Sequence, residues 1–207
     1  AIGRGAMTIT KGKRREQQKA ETRRLILESA RGMFETTPYA SVTLRAVASD
    51  AEIGLGTIYK HFPNKLSMLA AAFYEDLEHL NRIAFDTIPR DLPFKEQFMH
   101  LSRCFFKFYC ANDHLSRTYL SQVFFYEKEW IEKINAFDKT YIENLTQLIC
   151  KAQDRGEINK DKDCELLAIA LLSNYFFVLS TLFLRNNNSD LNQLETLLKA
   201  IVQQTLL

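Results

Sequence analysis

Helical periodicity that is broken at short intervals limits the fold of this sequence more than any other feature. From Thr22, apolar residues recur at Ile26, Ala30, Met33 and Phe34, a helical spacing that stops before Pro38. Thr43 suits an N-cap, because its hydroxyl can accept from the free amides of a following turn. The short helix it opens has Leu44, Val47, Ala48 and Ala51 as its apolar positions. A turn through Glu52, Ile53 and Gly54 leads into a second short helix, about residues 55–61, which Pro63 breaks. Asn64 can cap the next helix, whose stripe is Leu66, Leu69, Phe73, Leu77 and Leu80. Two short helices joined by a three-residue turn and followed by a longer helix describe a helix-turn-helix.

Beyond residue 90 the pattern lengthens. Pro93 stands near a helix start, where its missing amide is harmless, and the helix carries Phe94, Phe98, Phe105, Phe106, Phe108 and Tyr109. Asn112 and Asp113 mark a break. One further helical stretch is expected to carry Tyr119, Phe124, Phe125, Tyr126 and Trp130, then to continue past Leu145 and Ile149 until Gly156 stops it. Another helix covers about 162–184, residues 186–189 form a loop, and Ser189 or Asp190 caps a last helix to about Thr205. With 7 glycines and 4 prolines in 207 residues, strands and tight turns have little to build on. The chain reads as all-α: an N-terminal three-helix helix-turn-helix domain followed by a larger C-terminal helical domain.

Residues 166–184 hold no charge and approach bilayer-spanning length. Ser173, Asn174, Ser180 and Thr181 interrupt the run, and Asp161, Asp163 and Glu165 precede it. A helix apolar nearly all round is embedded in a membrane or buried in protein. The expectation here is no membrane, with one face in the core and another in a subunit interface. Cys104, Cys110, Cys150 and Cys164 form no CxxC pair and read as buried free thiols in a reducing compartment. His100 and Cys104, four apart, supply two ligands where a metal needs three or four. No nucleophile elbow, glycine-rich phosphate loop or HExxH occurs, and His79, His100 and His114 have no Asp or Ser partner at motif spacing. Neither enzyme activity, nor a cofactor, nor a metal is expected. Residues 1–6 before Met7 look like a cloning remnant, and the lack of a signal peptide after them predicts a cytoplasmic protein.

Charge is uneven. Residues 1–77 hold 12 Lys/Arg against 8 Asp/Glu, and the remainder 15 against 17, a basic head on a slightly acidic body. Such a head suits a polyanion. In the second short helix Ile58 and Phe62 point inward and leave Thr57, Tyr59, Lys60 and His61 outside. That face suits base edges and phosphates in a major groove, although a solvated surface would have the same composition.

The order Thr43, Gly56, Thr57, Ile58, Tyr59, His61, Phe62, Lys65 resembles the pattern of the tetracycline-repressor (TetR) family of bacterial regulators, as do Arg23, Arg24, Ile26, Ala30 and Phe34 in the first helix. The resemblance covers about residues 20–70. Departures are Glu52 in place of the turn glycine, Gly54 in place of the serine cap, and Leu55 where a polar residue is usual. Residues 10–24 are basic and polar and read as a mobile arm running into the first helix. After the tag remnant and arm of 1–19, the resemblance implies a DNA-binding domain over 20–66 and a ligand-binding and dimerisation domain over 67–207. Thr43 and Arg45 would touch phosphates or an adjacent base. Leu55 would meet a thymine methyl, and Gly56 would permit close approach. Thr57, Tyr59, Lys60 and His61 would contact the major groove and its flanks, and Lys65 a phosphate. Lys11, Lys13, Arg14 and Arg15 would reach the minor groove or simply add charge.

For the larger domain the resemblance implies a homodimer formed by the last two helices, near 162–184 and 190–205, and an unidentified small-molecule ligand, apolar or aromatic. Phe98, Phe105, Tyr109 and Phe124 would line its pocket with Tyr126, Trp130, Tyr175 and Phe176, unless these rings simply pack the core. A twofold dimer would place two recognition helices in successive major grooves roughly 34–36 Å apart on near-palindromic double-stranded DNA. The implied function is a ligand-responsive transcriptional regulator, a repressor. The alternative is a helical small-molecule-binding protein whose DNA binding has decayed.

Overall fold

A computed structural model describes residues 11–122, 125–183 and 190–206. Among them the chain is helical, without strands: α1 (Lys11–Thr36), α2 (Leu44–Asp50), α3 (Leu55–His61), α4 (Lys65–Asp86), α5 (Phe94–Ala111), α6 (Asp113–Gln122), α7 (Lys128–Asp154), α8 (Cys164–Val178) and α9 (Leu191–Leu206). A 3-10 turn (Tyr39–Ser41) precedes α2 and a π-helical turn (Leu179–Phe183) follows α8. The chain divides into two compact units after Ala72, inside α4.

In the first unit Ile26, Leu27, Ala30 and Phe34 of α1 are buried with Val47 of α2, Ile58 of α3, and Phe62. The Thr43 hydroxyl accepts from the Ala46 amide at 3.1 Å, and Asn64 Oδ1 accepts from the Ser67 amide at 2.8 Å. These caps fix the starts of α2 and α4. Between α2 and α3 the backbone closes a Schellman turn: the Glu52 amide donates to Ser49 O and the Ile53 amide to Ala48 O. Glu52 takes the left-handed position at φ 55°. A second such turn ends α7, where the Glu157 amide donates to Ala152 O and Gly156 holds φ 75°.

In the second unit α7, α8 and α9 pack in succession and α9 returns to α5. Arg103 of α5 grips Glu195 of α9 through two hydrogen bonds of 2.8 Å. Glu157 accepts from the Phe94 amide at 2.6 Å and so caps α5 from across the unit.

Three expectations need correction. The polar segment 11–24 is not an arm before the first helix but its first half, with residues 12–20 all exposed. Its Lys, Arg, Gln and Glu residues are strong helix formers, and Arg24 links Glu21 and Glu28 along the helix at 2.8 Å each. The single stretch expected from Tyr119 to Ile149 is two helices, with α7 starting only after Glu127. Cys150 of α7 and Cys164 of α8 are joined in a disulfide with Cα atoms 5.9 Å apart, while Cys104 and Cys110 are free. The 14-residue separation carries no motif; only the packing of α7 on α8 brings the two sulfurs together. The expected cloning remnant (1–6), the loop 186–189 and Ser189 lie outside the described residues.

Candidate functional site

Packing of α3 on α1 and α2 decides which of its residues face outward. Ile58 is fully buried and Phe62 nearly so, and the Arg23 guanidinium lies 4.7 Å from the Phe62 ring centre. The opposite side of α3 exposes Gly56, Lys60 and Tyr59, the last 54% accessible, while Leu55, Thr57 and His61 are half-buried. Thr43 and Arg45, at the start of α2, are exposed. A Cβ built on Gly56 would meet no protein atom within 4 Å. Packing therefore does not demand glycine there, and its effect is to keep the outer face of α3 low. Gly54 caps α3 without a side-chain hydrogen bond. His61 is held below the usual histidine pKa by burial, with Arg23 and Lys19 adding repulsion. Its imidazole is consequently neutral at pH 7 and offers one donor and one acceptor.

Lys65 is engaged within the protein. Its ammonium donates to Tyr39 O at 2.6 Å and to Ala40 O at 3.4 Å, and lies 4.2 Å from the centre of the Tyr39 ring. It thereby ties the start of α4 to the turn before α2, and its burial lowers its pKa. An ammonium has three donors, so the geometry leaves one for an outside acceptor. Lys13, Arg14 and Arg15 lie exposed on the first turns of α1.

The second unit contains a cavity of about 540 Å³, within the range of small-molecule sites. Of the rings expected to line one, it brings together Phe105, Tyr109, Tyr175 and Phe176. Phe98 is instead in the core, stacked on Phe94. Tyr126 packs on Tyr119, and Trp130 lies edge-on to Tyr74 with the Lys133 ammonium over its ring. Phe124 lies outside the described residues. The walls that sequence reasoning missed include Tyr74, Tyr119, Phe137, Asp138, Tyr141 and Phe177. No periodicity could separate these from core residues, because which helix face meets a gap is set by packing between helices.

Asp138 is the one charged residue among the described lining residues. Burial raises its pKa above the ordinary carboxylate value; burial likewise raises those of Tyr74, Tyr109 and Tyr119, and the Asp138 charge adds to each. Among the described residues His100 Nε2 lies 3.7 Å from Cys104 Sγ, and no third metal-ligating side chain joins them.

The outer side of α8 is apolar. Leu166 is 67% and Phe177 58% accessible, and Ile169 and Phe176 are also exposed, while Leu167, Ala168, Leu171, Tyr175 and Val178 are buried. Cys164–Thr181 is long and apolar enough to cross a membrane, and a third of it is buried within the protein.

Residues 26–72 match the profile of bacterial regulatory proteins of the tetR family. Over 61 residues the chain is 33% identical to the HTH-type transcriptional repressor KstR of Rhodococcus jostii, a match covering 30% of this chain and 29% of KstR. The fold extends further. FadR of Bacillus subtilis, solved in complex with stearoyl-CoA, superposes with a TM-score of 0.68 at 20% identity, over 88% of this chain and 97% of that one. A transcriptional regulator from Saccharomonospora viridis, solved in complex with choline, does so with 0.69 at 16% identity, over 89% and 96%. Residues 26–72 are thus similar in sequence to the tetR-type regulators, the rest of the described chain shares a fold with solved regulators, and the chain matches less than a third of the length of KstR.

Proposed function

We propose that this protein is a ligand-responsive transcriptional repressor that binds near-palindromic operator DNA as a cytoplasmic homodimer. The observation that carries the reading is the outer face of α3: Tyr59, Lys60 and Gly56 stand exposed while Ile58 and Phe62 anchor the same helix. A short helix held rigidly from behind, low at its centre and bearing donors and an aromatic ring, matches the requirements of major-groove reading. Thr43 and Arg45 would meet the phosphates on one flank, and Lys65 would lend its remaining donor to another. Leu55 gives the face an apolar element suited to a thymine methyl.

The uncovered apolar side of α8 supports the homodimer, since an apolar surface rimmed by polar residues favours association. KstR's description as a repressor supports the direction of control. The aromatic cavity of the second unit, and the small molecules in the FadR and S. viridis structures, support control by a ligand. Selecting bound sequences from random duplex DNA tests the reading. The expected outcome is a near-palindrome whose affinity falls steeply with salt. Absence of any enrichment would leave a helical small-molecule-binding protein without DNA recognition.

A further inference from the structure

The cavity of the second unit combines five tyrosines and four phenylalanines with one carboxylate, and no lysine, arginine or histidine is among its described lining residues. Asp138 makes no hydrogen bond or ion pair among the described residues, although Tyr74, Tyr109 and Tyr119 stand close enough to feel its charge. A carboxylate in apolar surroundings without a partner is costly, and it persists most readily where something else supplies the opposite charge. The hydroxyl of Tyr175, whose ring lines the same cavity, is likewise buried without a hydrogen-bond partner among the described residues.

We infer that the cavity takes a drug-sized organic cation, its positive centre at Asp138 and its apolar body among the surrounding rings. This rests on the reading of the second unit as a ligand-binding domain and names the class of ligand. Aromatic faces attract cations through their quadrupoles, most strongly where water is excluded, and the carboxylate adds a direct charge. The volume of about 540 Å³ suits a molecule with several rings or a branched apolar body. An acyl-CoA suits this lining poorly. Its phosphates would need cations, and none lines this cavity among the described residues; Arg82, Arg90 and Lys151 line a different cleft.

Tetraphenylphosphonium, whose charge is fixed at every pH, is the probe, with triphenylphosphine oxide as a neutral relative and lauroyl-CoA as the competing class. Calorimetric titration of the full chain is expected to show tetraphenylphosphonium binding that weakens about tenfold or more in Asp138→Asn. The neutral relative should bind more weakly and equally to both proteins. Asp138→Asn should fold and melt no lower than the wild type, because it removes a half-buried, partly desolvated charge. Cation binding unchanged by the substitution, binding of lauroyl-CoA with none of the cation, or no cation binding at all would each overturn the inference. Operator selection with the same protein separates the two levels: retained DNA recognition alongside any of these failures leaves the regulator intact and removes only the cation.

Discussion

Glu52 and Gly156 occupy the same position in the same kind of helix-ending turn, and only one of them is glycine. A left-handed conformation strains a residue with a Cβ by roughly 1–2 kcal/mol, part of which glycine gives back through its freer unfolded state. Glu52→Gly is therefore expected to stabilise the protein by about 1 kcal/mol, raising the melting temperature by about 2–4 °C in a chain of this size. No rise would show that the turn holds Glu52 without strain. Asp138 makes a second residue-level prediction. Its folded pKa is raised, so the unliganded protein loses stability as pH climbs through the unfolded and then the folded value. Thermal melts should accordingly show Asp138→Asn gaining on the wild type between acid and neutral pH and converging with it below about pH 3. A constant difference across that range would refute the assignment.

At the level of elements, what the sequence made legible was local. Thr43 and Asn64 cap the helices they precede, and Ile58 and Phe62 point inward, because caps and periodicity involve residues within four of each other. What packing decides was not legible. The sequence showed Lys65 as a free cation, but its partners Tyr39 O and Ala40 O lie 26 and 25 residues away. Phe98 and Trp130 look like lining residues as much as Phe105 does, and only the packing of the helices separates them. The disulfide between Cys150 and Cys164 was hidden for the same reason. The uncharged run at α8 was legible as unusual, and the structure resolves it into a buried face and an exposed one. Ile169→Glu places a charge on the exposed face without touching the cavity lining. Sedimentation should then show monomers where the wild type shows dimers at micromolar concentration. A stable wild-type monomer would remove α8 as the interface.

At the level of the whole molecule the proposal is a switch. A ligand shifts an equilibrium only by its differential affinity for two states, and coupling between ligand and operator must be reciprocal. With a coupling of about 1–3 kcal/mol, saturating ligand should weaken operator binding by the same factor by which operator weakens ligand binding. Unequal factors at equilibrium would mean that the two sites are not linked through one protein equilibrium. All of this presupposes that the outer face of α3 reads DNA, and one titration tests that most directly. Fluorescence anisotropy on the selected operator should show two protomers per site, with Tyr59→Ala binding about 1–3 kcal/mol more weakly per lost contact. Helix content should be unchanged, since the Tyr59 side chain is largely exposed. A folded Tyr59→Ala protein that binds the operator as tightly as the wild type, or a wild type that binds operator and scrambled duplex equally, would contradict the account.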